Sequence, residues 1–250
     1  MEHNTGSLAG KVVLVTGAAH RVGAAIVRLV HAHGANVVLH YRRSFEAARI
    51  IQDELQLIRP NSVALVQADL NDTAGLAGLV GQSVEPWGRL DVLVNNASMF
   101  YSTPVGSATE AQWDDLFASN LKAPFFLAQA AMPYLRKVHG NIVNIVDIHA
   151  ERPLKDYPVY CMAKAGLVML TKALAREFGG DIRVNAVAPG AILWPEGMEE
   201  ALKHDIISRT ALKRRGDPLD IAKAVLYLAR DATYVTGQVH AVDGGRTVID

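Results

Sequence analysis

The sequence predicts an α/β fold: a doubly wound parallel sheet of about seven strands with helices on both faces. Three observations carry this. Short β-branched runs alternate with stretches that are apolar at helical spacing along nearly the whole chain. The short runs are apolar on consecutive residues, as strands buried on both faces must be, and that favours parallel pairing. Right-handed crossovers between such strands then place helices on either side of the sheet.

Each element follows in order. "KVVLVT" (11–16) is the first strand, and "RVGAAIVRLVHAHG" the first helix, stopped by Gly34. "ANVVLHY" is the second strand; "FEAARIIQDELQLI" is the second helix and ends before Pro60. "NSVALVQADL" is the third strand, and a helix near 73–85 leads to "RLDVLVNNA" as the fourth. One long helix is expected over 109–138, then the strand "GNIVNIV", a helix over 158–178 and the strand "IRVNAVAPG". A helix near 218–229 and "GQVHAVDGG" complete the pattern. Residues 189–217, with Pro195, Gly197 and Gly216, read as one long irregular segment, expected to be a mobile loop over the substrate.

Composition narrows the function. With 250 residues, 50% of them apolar, the chain suits a single domain, 1–250, with one large core and a loose tail over 1–8. The 25 basic and 25 acidic side chains cancel, so no net field draws the protein to nucleic acid or anionic lipid. One cysteine makes no internal disulfide, which fits a reducing, cytoplasmic setting. Neither a signal peptide nor an apolar run of about 18 residues is present, so membrane insertion is not expected. No His/Cys/Asp grouping has metal-ligand spacing, and no metal is expected.

The chemistry concentrates at strand ends. "VTGAAHRVGAAI" puts Gly17 and Gly23 between the first strand and first helix, where backbone N–H groups and the helix dipole suit a pyrophosphate. Arg21 stands where a third glycine is common; it suits the pyrophosphate or a ligand beside it, the alternative being a solvent-facing arginine. The second strand runs into Arg42, Arg43 and Ser44 with no acid before Glu46, which favours a 2′-phosphate and hence NADPH, against a merely solvated basic loop. Asp69 ends the third strand, in reach of an adenine amino group; "NNAS" (95–98) ends the fourth, its asparagines suited to cofactor contact or to holding the turn.

Gly17-x5-Gly23, "NNAS", Asn120, Tyr160-x3-Lys164 and "APG" (188–190) together resemble the short-chain dehydrogenase/reductase family, over essentially the whole chain. The resemblance implies a Rossmann-like fold, Tyr160 as proton donor or acceptor, Lys164 lowering its pKa and holding a ribose, and Asn120 in a water relay. It implies cofactor contacts at His20, Val22, Leu70, Asn96, Ala97, Ser98, Pro189, Gly190 and Ile192, besides those already named, and a homotetramer packed through the helices at 109–138 and 158–178. Lysine four residues after tyrosine shares its helical face, and an ammonium there favours the phenolate. Tyr157 has Cys161 in that place, so Tyr160 is preferred.

One position departs from the family. Thirteen residues before Tyr160, where a serine normally binds the substrate oxygen, stands Asp147, and no serine or threonine lies between Asn144 and Tyr160. A carboxylate repels a developing alkoxide, yet it suits a ring nitrogen that gains a proton or an amino group that donates. A 2-amino-4-oxopteridine offers both. The departure is similar to that of pteridine reductases within the family, as are the first-turn form Thr16-Gly17-x3-Arg21-x-Gly23, "HYRRS" and "NNASMFYSTP". That likeness implies Phe100 stacked on the pterin, Ser98 and Arg21 at the pterin or phosphates, and reduction of dihydropterins, with oxidised pterin and dihydrofolate as further substrates. Alternatives are a packed loop for Phe100, a turn-capping role for Asp147, and for Trp194 either pocket lining or loop anchoring. Two rival functions stand beside this: a ketone or 3-oxoacyl reductase whose serine role has moved, and a non-catalytic NADPH sensor.

Overall fold

The apolar runs pair as their burial demands. In the computed structural model, which describes residues 7–194 and 197–249, seven strands form one parallel sheet in the order β3-β2-β1-β4-β5-β6-β7. They are β1 (Val12–Val15), β2 (Asn36–Tyr41), β3 (Val63–Gln67), β4 (Val92–Asn95), β5 (Asn141–Ile145), β6 (Arg183–Pro189) and β7 (Val239–Val242). The helices are α1 (Arg21–Ala32), α2 (Phe45–Ile58), α3 (Leu76–Val84), α4 (Glu110–Phe117), α5 (Ala123–Lys137), α6 (Pro158–Phe178), α7 (Glu200–Ser208) and α8 (Pro218–Arg230). No described helix is long and apolar enough to cross a membrane.

Strand periodicity divides the core between the two faces. Val13 and Val15 pack with α1, α2 and α8 through Ile26, Val30, Ile51 and Val225. Val12 and Leu14 turn the other way, onto α3, α5 and α6 through Leu79, Leu127, Leu135 and Phe178. Each such side chain, fully buried, contributes about 1.5–3 kcal/mol.

The structure differs from the sequence expectations in three places. The helix expected over 109–138 is interrupted by a π-helical turn at Ala118–Lys122 between α4 and α5. A capping box formed by Thr109 and Gln112 starts α4. The segment 189–217 is not irregular throughout: α7 lies inside it, and none of its residues is buried, so it left no strong apolar stripe to read. Of the expected tail, residues 1–6 lie outside the described residues, as does Pro195 of the expected loop. Leu8 is buried at 3% exposure and its N–H donates to the His33 carbonyl.

At the amino end of the sheet Asp91 fixes the start of β1. Its carboxylate accepts from the Val12 N–H at 2.9 Å, from Arg89 at 2.6 and 2.8 Å, and pairs with Lys11 at 3.2 Å. Removing it strands a buried donor. Asp91→Ala should therefore lose about 2–3 kcal/mol in chemical denaturation, with the site at the opposite end of the sheet preserved in the folded fraction.

Candidate active site

Connections leave β1 and β4 in opposite directions across the sheet, so a crevice opens at their carboxyl ends, the place where open α/β sheets bind ligands. Thr16 and Asn96 knit the two ends together. The Thr16 hydroxyl accepts from the N–H groups of Asn96 and Ala97 at 2.9 and 3.0 Å, and the Asn96 side-chain amide donates to the carbonyls of Thr16 and Gly17 at 2.8 and 3.1 Å. For Asn96 the turn-holding alternative is thus realised, beside whatever contact a cofactor makes.

The glycines are required by space. Gly17 has φ +60° with Ala97 Cα 2.9 Å from where a Cβ would sit; a Cβ on Gly23 would meet the Gly17 oxygen at 2.5 Å. Arg21 is exposed and sits at φ +52°, a conformation natural to glycine. That explains why glycine is common at this place. Holding arginine there costs on the order of 1 kcal/mol. His20 N-caps α1 without a side-chain bond, and Val22 follows half-buried, so the N–H groups at the start of α1 are left for an anion.

At the neighbouring strand ends, Arg42 pairs with Asp69 at 3.3 Å, a contact the sequence did not suggest. Both are partly exposed, so the pair is worth only about 0–1 kcal/mol and yields readily to a phosphate. Asp69 also accepts the Asn71 N–H at 3.1 Å, shaping the turn beside buried Leu70. Arg43 is exposed, with no ion pair among the described residues, and Ser44 N-caps α2 without using its hydroxyl. A cradle with a spare guanidinium, a spare hydroxyl and a helix N-terminus fits a phosphorylated ribose.

The chemical centre lies beyond β5. The Tyr160 hydroxyl donates to Asp147 Oδ2 at 2.7 Å, while Asp147 Oδ1 accepts the His149 N–H at 2.8 Å. Asp147 therefore caps a short 3₁₀ turn, as the turn-capping alternative has it, and is also the partner of Tyr160. Lys164, 2% exposed, donates from Nζ to the Ile145 carbonyl at 2.9 Å and stands 5.8 Å from the Tyr160 ring centroid. Burial lowers its pKa to about 8, with Asp147 opposing. Asn120 sits in the π turn, whose extra residue turns its amide inward. The amide donates to the carbonyls of Met99 and Leu116 and accepts from Ser98 Oγ at 2.7 Å.

One expectation is reversed. Lys164 was expected to bring the Tyr160 pKa down, but burial raises it well above the usual phenol value, and the charge and hydrogen bond of Asp147 raise it further. The Ser98 hydroxyl works weakly the other way. Tyr160 in this arrangement holds its proton.

Phe100 is 44% exposed, not packed into the core. Its ring lies parallel to Tyr157 at 4.6 Å and edge-on to Tyr160 at 4.8 Å. Tyr157, set aside as a catalytic tyrosine, thus backs the expected substrate platform from the N-cap of α6, three residues before Tyr160. Pro189 ends β6, Gly190 is pressed on Asp243 with its N–H on the Val242 carbonyl, and Ile192 is buried. Trp194 is half-buried, and no described hydrogen bond or ring contact joins it to Asp147, Tyr160 or Phe100. Cys161 is buried, and the His149 ring is held by the Arg152 carbonyl at 2.9 Å.

Comparison with known proteins fits this geometry. Residues 17–247 match the family model described as "Enoyl-(Acyl carrier protein) reductase". The chain is 36% identical to pteridine reductase 1 of Leishmania tarentolae, over 96% of this chain and 98% of that one. It is 35% identical to the 3-oxoacyl-[acyl-carrier-protein] reductase FabG of Thermotoga maritima, over 96% and 99%. A crystal structure titled as a short-chain dehydrogenase/reductase, glucose/ribitol dehydrogenase, from Brucella melitensis superposes with a TM-score of 0.88 at 30% identity, over 96% of this chain and 98% of that one.

Two outcomes follow from the geometry. Arg21→Gly should unfold no earlier than the parent in a thermal scan, since backbone strain is relieved, yet bind NADPH or substrate about tenfold less tightly in a titration. Because the Lys164 pKa is lowered, its charge is lost as pH rises through about 8. The pH profile of kcat/KM for reduction should fall across that interval, while a flat profile to pH 10 would show that the ammonium is not needed.

Proposed function

The chain belongs to the short-chain dehydrogenase/reductase family, and from that premise we propose that it is an NADPH-dependent pterin reductase. Dihydropterins become tetrahydropterins, and oxidised pterin and dihydrofolate are further substrates. The single observation that carries this is the Asp147 carboxylate in the oxygen-binding place of the site, bonded to the Tyr160 hydroxyl at 2.7 Å. NADPH over NADH is supported by Arg42, Arg43 and the unused Ser44 hydroxyl.

The bound cofactor supplies a hydride to the carbon of a ring C=N bond, and the nitrogen then needs a proton. The residues divide the rest. Tyr160 holds its proton through neutral pH and shares it with Asp147, so the pair delivers one proton to the nitrogen. Lys164, nearby and charged below about pH 8, offsets the phenolate left behind and holds the nicotinamide ribose. The free lone pairs of Asp147 accept from the pterin amino and ring N–H groups. Phe100, backed by Tyr157, gives the flat heterocycle a face to stack on, worth roughly 0.5–1.5 kcal/mol beyond burial. Ser98, Arg21 and Trp194 complete the substrate contacts, and Asn120 ties Ser98 to the relay. Gly17, His20, Val22, Leu70, Asn96, Ala97, Pro189, Gly190 and Ile192 line the cofactor.

We assign the working enzyme to the cytoplasm as a homotetramer. The apolar groove among Phe117, Leu121, Phe125, Phe126, Met169 and Leu170, on the helices expected at the interfaces, supports the assembly.

A second reading is 3-oxoacyl or ketone reduction. The FabG relative is as similar as the pteridine reductase, and the Ser98 hydroxyl, bonded to Asn120 at 2.7 Å and drawing the Tyr160 pKa slightly down, is the candidate to replace the missing serine. NADPH oxidation measured with dihydrobiopterin, dihydrofolate and a 3-oxoacyl thioester separates the two. Pterin turnover is expected, and Asp147→Ser should cut it by about 10²-fold or more while improving ketone reduction. Good ketone turnover with none on any pterin would remove the pterin assignment; tight NADPH binding with no turnover at all would favour a sensor.

A further inference from the structure

The mechanism leaves the buried imidazole of His40 unused. His40 lies on β2, 2% exposed, in the second-last position before the strand meets the basic turn. Its Nδ1 is 3.0 Å from the Gly17 N–H and its Nε2 is 3.2 Å from the Ala68 carbonyl. The proton positions follow from the partners. A backbone N–H only donates, so Nδ1 accepts from Gly17; a carbonyl only accepts, so Nε2 carries the hydrogen. The ring is thereby fixed as one neutral tautomer, bridging two chain segments that differ by about fifty positions in sequence. Burial pushes its pKa down to about 4, with the Ala68 bond and Asp69 opposing. The backbone adds a third tie: the His40 carbonyl accepts the Ala18 N–H at 2.9 Å.

The two segments it joins are the two ends of the expected nucleotide site. Gly17 begins the turn that meets the pyrophosphate, and Ala68 immediately precedes Asp69 and Leu70 at the adenine edge. Thr16 and Asn96 hold the first turn on its β4 side; His40 holds it on the β2 side. We propose that His40 is a positioning residue for the dinucleotide cofactor, an imidazole clamp that sets the spacing between the pyrophosphate turn and the adenine edge. It touches no cofactor atom in this role. Preorganising both contacts removes an ordering cost that binding would otherwise carry.

The test compares dissociation constants for NADPH and NADH, read by fluorescence titration, in the parent, His40→Leu and His40→Asn. Leucine has similar bulk but no hydrogen bonds, so it should weaken both cofactors by about tenfold and by the same factor, because the clamp lies away from the 2′-phosphate. Asparagine restores an acceptor for the Gly17 N–H and should recover part of that loss. In turnover the defect should fall on KM for the cofactor rather than on kcat. In the folded parent, ¹⁵N NMR of the His40 ring should show the Nε2–H tautomer from pH 5.5 to 8, a readout that survives if His40→Leu does not fold. Parent-like affinity in His40→Leu, a lowered melting temperature without a change in affinity, or an Nδ1–H tautomer would each overturn the proposal. Loss of NADPH binding alone, with NADH unchanged, would overturn it too and point to the Arg42 turn.

Discussion

The 2.7 Å hydrogen bond from Tyr160 to Asp147 is the interaction on which the rest of the site depends. Burial at 4% exposure holds Tyr160 as a phenol, and donation to a carboxylate strengthens the effect. The usual logic of a lysine-activated tyrosine is therefore modified. Lys164 is buried and partly discharged near pH 8, and its first bond goes to the Ile145 carbonyl. The site is poised to give a proton, and it presents negative charge to whatever occupies the place beside Tyr160. Nitrogen heterocycles carrying N–H donors suit that environment; developing oxyanions do not.

The scaffold makes such a centre affordable. A parallel sheet buried on both faces supplies rigid strand ends, and the site gathers on them: Gly17 after β1, Arg42 after β2, Asp69 after β3, Asn96 after β4, Asp147 after β5 and Gly190 after β6. Two local departures from regularity fall where ligands are expected. Arg21 carries a positive φ, and the π turn at Asn120 breaks an otherwise continuous helix.

Most of the fold was legible because the signals were long and periodic. All seven strands fall within the apolar runs that announced them, and α1, α2, α6 and α8 coincide with their amphipathic stretches. The π turn escaped because Ala118–Lys122 keeps helical composition; only its hydrogen bonding changes. Helix α7 escaped because it buries nothing. At the site, the Tyr160/Lys164 spacing and the odd aspartate were visible as residue types. Their protonation balance was not, since it depends on burial and on a 2.7 Å contact across thirteen residues of chain. The Arg42–Asp69 pair and the stacking of Phe100 on Tyr157 likewise needed the third dimension.

The comparisons establish the family, and they stand equally near a pterin reductase and an oxoacyl reductase. Substrate choice therefore rests on where Asp147 points when a ligand is present. A crystal structure with NADP and a pterin analogue measures that directly. The account requires a carboxylate oxygen of Asp147 within about 3.2 Å of a pterin nitrogen, with Tyr160 still bonded to it. An Asp147 turned away, with Ser98 alone facing the ligand, would contradict it.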